Sequence, residues 1–146
     1  MFLILLCCLA ASKCILGEGV VKVNDANSLI EFSKNVSSGI CYNGTTVFLG
    51  TDIDFSGSLS EQFEPIGKDW GNSFQGTFDG QGYTISNLII NSSLDYVGLF
   101  GFSREGITTR NIILDSSCSF VSSYRGSYGC VGGVIGRCEG CITENT

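Results

Sequence analysis

The chain has no histidine, one proline, one tryptophan and one methionine, and only 8 Lys and Arg against 14 Asp and Glu. Each scarcity excludes something. Without histidine there is no Ser–His or Cys–His catalytic pair and no imidazole-ligated metal. A net charge of −6 and a pI near 4.4 lack the basic footprint that nucleic acid requires. The same charge disfavours anionic membrane surfaces. A single proline leaves no extended proline-rich linker. Charged residues make up only 15% of the chain, yet Ile, Leu, Val and Phe are too frequent for a disordered segment of low charge.

What is present is glycine, 20 in all, in a chain of 146 residues that is long enough for one domain with a modest core. The stretch "GNSFQGTFDGQGYTISNLIINSS" at 71–93 sets several glycines beside a run of aliphatics, with no His, Lys, Arg or Cys. Such a stretch builds turns and a buried strand. As a phosphate-cradling loop "GTFDGQG" fails, because no Walker lysine and no helical pattern follow it.

The opening "MFLILLCCLAASKC" holds an apolar run from Phe2 to Ala10, followed by small residues. That is the length and order of a secretory signal peptide and too short for a membrane span. A cut after Ser12 places Ala10 and Ser12 at the two recognition positions, and a cut after Cys14 is the alternative. No basic residue precedes the apolar run, which departs from the usual pattern, and Lys13 speaks against lipid attachment at Cys14. Residues 1–14 are therefore read as the signal and 15–146 as the mature module. The expected location is extracellular or on the cell surface, with no membrane span after cleavage.

Cysteine and asparagine usage fit that compartment. Cys14, Cys41, Cys118, Cys130, Cys138 and Cys141 survive a cut after Ser12, and in an oxidising space disulfides are the default. Six cysteines allow fifteen pairings, between which spacing does not choose. The "CEGC" at 138–141, with Cys118 and Cys130, also has the spacing of a zinc cluster or a redox pair, which secretion disfavours. Three sequons, at Asn35, Asn43 and Asn91, are glycosylation candidates in a eukaryotic host and otherwise plain polar loop residues.

Along the mature chain, "VVKV" reads as a strand. A helix follows near residues 25–37, capped by Asn24 or Asp25, striped by Leu29, Ile30, Phe32 and Val36, and stopped by Gly39. "TTVFLGTDIDFSG" alternates, sending Val47, Leu49, Ile53 and Phe55 inward and Asp52 and Asp54 outward. A polar loop then tucks in once, at "FEPIG". From Phe74 onward the chain repeats. "ISNLII" at 85–90 returns as "TRNIIL" at 109–114, which aligns Asn87 with Asn111. "YVGLFG" at 96–101 returns as "CVGGVIG" at 130–136, and "GITTRN" as "CITENT", which aligns Asn111 with Asn145 at a longer interval. Short glycine-separated strands at unequal periods describe a parallel β-solenoid of about three coils with variable loops. Ile85, Leu88, Ile90, Ile112 and Leu114 are expected inside, and Asn87, Asn111 and Asn145 in a ladder at one corner.

The segments "TVFLGTDIDFSG", "FEPIG", "SFQGTFDGQGYTISNLIINSS" and "DYVGLFG" closely resemble the opening of secreted and surface proteins with GLUG-type repeats. Those are right-handed parallel β-helix proteins similar to filamentous adhesins and to non-catalytic regions of some IgA-cleaving peptidases. The likeness covers roughly 20–136, with "FQGTFDGQGYTISNL" and "VGLFG" its specific parts. It implies an all-β solenoid, an N-terminal capping helix, extracellular location and a display or adhesion role, and it transfers no binding site. The cysteine-rich tail from Cys118 to Cys141 falls outside the repeat pattern.

Because many parallel β-helices cleave polysaccharides, the carboxylates are weighed as chemistry. Asp52 and Asp54 lie on one strand face, with Asp79 and Asp95 available to join them as an acid–base or calcium set. The plainer reading is that they are solvated surface residues. A lyase also needs a base, and Lys68, Arg104 and Arg110 lie in loops without pattern. "DGQGYTIS" lacks the aspartate rhythm of calcium-binding nonapeptides. Trp70, Tyr83, Tyr96, Tyr124 and Tyr128 are candidates to stack on sugars, although Tyr83 and Tyr96 flank core strands and are expected to pack, as are Phe100 and Phe102.

The expectation is thus a non-enzymatic adhesive or structural module with no catalytic residues, metal or cofactor. Its partner would be a host or self surface protein or glycan. The alternative is a carbohydrate-active β-helix enzyme, lyase or glycosidase-like, or a fragment of one. "CITENT" starts another copy of a rung, so the solenoid is expected to continue past Thr146 or to meet a partner there, edge to edge.

Overall fold

Gly19–Val23 (β1) and Thr45–Leu49 (β2) run parallel in the computed structural model, which describes residues 19–146. The signal segment and Cys14 lie outside the described residues. Between these strands the chain forms Ala26–Ser37 (α1). Asp25 caps it by accepting the Ser28 N–H at 2.7 Å, while Ser28 Oγ accepts from the Asp25 N–H, a reciprocal capping box. Gly39, at φ +99°, ends it.

The first coil holds β2 and Ile53–Asp54 (β3) and returns through a single 3-10 turn at Ser60–Gln62. The second holds Thr77–Asp79 (β4), Thr84–Ser86 (β5), Ile89–Ser92 (β6), Tyr96–Val97 (β7) and Phe100–Arg104 (β8). The third holds Thr108–Arg110 (β9), Ile113–Leu114 (β10), Ser119–Ser122 (β11), Cys130–Val131 (β12) and Ile135–Glu139 (β13), and Ile142–Glu144 (β14) begins another rung. Every pairing of these strands is parallel. The molecule is a parallel β-solenoid of about three turns with a short N-terminal helix.

Vertical registers define what the coil stacks. Thr46, Thr77, Thr108 and Ile142 lie above one another, each one coil further along the chain. On the inward side of the same sheet the column is Val21, Val47, Phe78, Thr109, Thr143. Ile53, Ile85 and Leu114 form a second column, Ile90 and Phe120 a third. The expected inward set Ile85, Leu88, Ile90 and Ile112 is buried, and Leu114, in the last described coil, is half-buried. Phe63, Pro65 and Ile66 of "FEPIG" are buried as well.

The expected three-asparagine ladder is corrected. Asn111 and Asn145 do stack, their side-chain amides 3.3 Å apart. Asn87 sits one corner later along the coil, where its N–H donates to Ser117 Oγ and its amide to Asp54. The match of "ISNLII" to "TRNIIL" has a local cause. Asn87 and Asn111 both take left-handed backbone (φ +56° and +53°), and each is followed by one inward aliphatic, Leu88 or Ile112. Those two corners share that local pair, so the sequence echoes itself there without stacking.

Aromatic rings fill the space under the helix. Phe32 of α1 lies 5.4 Å from Phe74 and 6.1 Å from Phe78, and Phe100 lies 5.3 Å from Phe78. Each such ring, fully buried, contributes about 1.5–3 kcal/mol of transfer free energy. Ser33 Oγ donates to the Glu64 carbonyl and ties the helix to the first coil's return.

Candidate functional site

The return loop of the first coil lifts one ring into solvent. Asp69 Oδ1 accepts the N–H groups of Gly71 and Asn72, each at 2.9 Å, and the Asn72 side-chain amide at 3.0 Å. This tight turn holds Trp70 with 66% of its surface exposed. Arg104, at the end of β8, lays its guanidinium 4.5 Å from the ring centroid. A partly desolvated cation in that position gains about 0.5–2 kcal/mol from the ring quadrupole.

Glu139 of β13 is the register partner of Arg104 one coil on. Trp70, Arg104, Glu105, Gly106 and Glu139 line a cavity of about 500 Å³. Arg137 extends the band: its Nη2 lies 2.8 Å from Glu139, and its guanidinium 5.5 Å from the Tyr96 ring. The Glu139 carboxylate, accepting that hydrogen bond, holds Arg137 still more firmly protonated. Tyr96 in turn packs 5.4 Å from Phe102. Aromatic, cation and carboxylate thus alternate across three coils on one flank. Such a surface offers a ring face to C–H groups and forked donors and acceptors to hydroxyls.

A second hollow, about 620 Å³, lies between the 57–68 segment and β6. Pro65, Phe63 and Leu94 supply its apolar wall, and Glu61, Glu64 and Lys68 its charges. Asn91 and the two serines of its sequon stand at the same hollow. Of the other sequons, Asn43 is exposed before β2 and Asn35 is half-buried on α1.

Three of the four carboxylates weighed as chemistry, Asp52, Asp54 and Asp79, are engaged in the frame. Asp52 Oδ1 accepts the Thr84 N–H at 2.8 Å. Asp54 accepts from the Asn87 amide at 2.8 Å and from the Ser56 N–H at 2.9 Å. Those bonds, the Asn87 one foremost, hold its carboxyl below the usual range. Burial pushes Asp79 upward. Hydrogen bonds from Asn111, the Gln81 N–H and Arg110 outweigh it and bring the net shift below the usual range. Asp52 and Asp54 each link their coil to the next, as Asp79 does through Arg110 and Asn111, and among the described residues no group of three Cys, Asp or Glu converges as a metal site.

Cys138 and Cys141 are joined, with Cα atoms 5.8 Å apart, and Cys41 is disulfide-bonded. Cys118 and Cys130 carry free thiols, which corrects the expectation that every cysteine pairs and sets aside the four-cysteine zinc arrangement. Cys118 points its sulfur at the Ile85 carbonyl, 3.3 Å away, and burial pushes its pKa up. Cys130 faces the Tyr128 carbonyl at 3.7 Å. Tyr83, expected to pack, is exposed, as are Tyr124 and Tyr128, whereas Tyr96, Phe100 and Phe102 do pack. Sequence reasoning flagged Trp70 but missed its union with Arg104 and Glu139, because those contacts join rungs far apart in the chain. The "DWGN" turn was the one signal that Trp70 would be held outward.

No protein-family model, curated protein or solved structure matches this chain. Among the described residues no helix is long and apolar enough to cross a membrane.

Proposed function

We propose that this chain is a secreted, non-enzymatic β-solenoid module of the GLUG-repeat kind that serves adhesion, and that it meets surface glycans through the flank around Trp70. The observation that carries this reading is the indole itself. Trp70 is exposed at 66% while fixed from below by the Asp69 turn and from one side by Arg104. A large exposed ring held in place is costly to leave wet and binds with little loss of conformational freedom. Support for a non-enzymatic role comes from the carboxylates: Asp54 and Asp79 are kept ionised by frame hydrogen bonds, so neither is poised to donate a proton near neutral pH.

A glycan array read with the purified chain and with Trp70→Ala tests this. Binding that falls by roughly tenfold or more on loss of the ring, about 1.4 kcal/mol, supports the reading. Binding indifferent to Trp70 removes the flank from it. Turnover of polygalacturonate or related polymers, abolished in Asp52→Asn with Asp54→Asn, would favour a carbohydrate-active enzyme instead.

A further inference from the structure

The hollow beside β6 exists because the first coil is cut short. β6 pairs with β11 on one side, but on the other the first coil offers no strand, only the turn at Ser60–Gln62. Ser60 stands in for a strand residue: its Oγ accepts the Ile89 N–H at 2.5 Å and donates to the Ile89 carbonyl at 2.8 Å. One hydroxyl serves one position only. In a parallel pair, alternate residues bond to the same side. Ser119 and Ser123 donate to the Leu88 and Ser92 carbonyls, which commits Ile90 and Ser92 to β11. The peptide N–H and C=O of Asn91 therefore face the hollow.

Asn91 is also the first residue of the sequon Asn91-Ser92-Ser93. Along β6, Ile90 is buried while Ile89 and Asn91 are exposed, so the Asn91 side chain stands on the outer face. It does so at the lip of a hollow of about 620 Å³ walled by Phe63, Pro65 and Leu94, with Glu61 and Lys68 as its charges. A hollow of that size takes a compact ligand. It lies between two rungs of the chain, 57–68 and β6, rather than at either end of the stack. The other sequons have no such neighbour. Asn35 is half-buried on α1 with the Ser37 hydroxyl enclosed, and Asn43, exposed on its turn, lines neither hollow.

We propose that Asn91 is an N-glycosylation site in a eukaryotic host, and that the first N-acetylglucosamine of its glycan seats in this hollow. The inference rests on the secretion reading and is independent of glycan binding at Trp70. Transfer forms a bond from Asn91 Nδ2 to C1 of the sugar and breaks the bond from that carbon to the pyrophosphate of a lipid-linked oligosaccharide. The lipid pyrophosphate is the leaving group, and one Nδ2 proton passes to a base of the transferase.

The seated sugar supplies what the first coil omits. Its acetamido group carries one N–H and one C=O, the complement of the Asn91 peptide group that faces the hollow. Its C–H face suits the wall of Phe63 and Pro65, and its hydroxyls suit Glu61 and Lys68. Because the sugar is tethered at the lip, seating costs little translational freedom.

The test is to express the full chain in a eukaryotic secretory cell, map its glycopeptides by mass spectrometry and follow hydrogen exchange. The expected result is a secreted chain with a glycan on Asn91. Trimming that glycan to its first residue with an endoglycosidase leaves exchange in 57–68 slow, and removing it whole with a peptide-N-glycosidase speeds that exchange roughly fivefold. Ser93→Ala, at an exposed position, removes the sequon but keeps Asn91, and reproduces the fast exchange. If that variant is not secreted, the glycosidase-treated parent makes the same comparison. A secreted chain with Asn91 bare overturns the proposal alone, whereas a chain kept in the cell with Met1 intact overturns the secretion reading and the proposal with it. Exchange in 57–68 that is equally slow without the sugar means that the hollow is filled by something else, and overturns the proposal as well.

Discussion

Phe78 and Thr109 face the axis at equivalent positions of consecutive coils, and their surroundings differ. Phe78 lies among Phe32 and Phe100, beneath the helix. Thr109 is fully buried too, yet its hydroxyl finds no partner, and the residue after it in the column, Thr143, is exposed. The same backbone position is thus served by a ring in one coil and by a hydroxyl in the next. Coil geometry is held by turns and ladders that both coils share, whereas cohesion is concentrated toward the helix.

The largest break in this contrast comes from Phe78→Ala. Removing a fully enclosed ring costs about 3–5 kcal/mol, against about 2 kcal/mol or less for Phe120→Ala, where the ring is half-buried. Denaturant melts of the two variants read the difference directly, and equal losses would show that the third coil is packed as well as the second. Gly80→Ala comes next, because its Cβ would fall against the carbonyl oxygen of Asn111 on the following rung, which is backbone. We expect a loss of about 1–3 kcal/mol and a weakened junction between second and third coils, visible as faster exchange in 106–146.

Thr109→Val works in the opposite sense. Trading an unpartnered buried hydroxyl for a methyl raises stability by about 1 kcal/mol, read as a higher urea midpoint at unchanged slope. A neutral or destabilised variant would mean that the hydroxyl is satisfied in solution.

The smallest effect is that of acid. Asp79 has a folded pKa below its unfolded one, so its contribution is complete above about pH 4 and fades as pH falls through the folded value. Arg110 is partly exposed, so the ion pair supplies about 1 kcal/mol or less. Stability measured from neutral pH down should fall less steeply in Asp79→Asn than in the parent, and identical profiles would remove Asp79 from the account.

How much of this was legible depends on distance along the chain. Val47, Leu49, Ile53 and Phe55 alternate within one strand pair, and α1 carries its cap, stripe and stop between Asp25 and Gly39, so both were readable. The glycine-rich corner at 80–82 was readable too, since Gly82 adopts φ +78°. Vertical register was not. Stacked partners stand a whole coil apart along the chain, and two different corners, at Asn87 and Asn111, share the same asparagine-then-aliphatic pair, so they imitate a repeat. The Trp70 flank was hidden for a related reason: its residues come from three separate rungs, and no local pattern marks which outward side chains meet.

The box of hydrogen bonds at Asp25 and Ser28 has a bearing on how the molecule comes into being. It starts α1 from residues that touch nothing distant, and the helix then offers Leu29 and Phe32 as a floor before any complete coil exists. Each later rung finds its hydrogen-bond partners already laid down by the rung before it. The chain can therefore wind as it leaves the ribosome, with local elements first and no need to wait for its last residues. Its order of synthesis and its order of assembly run the same way.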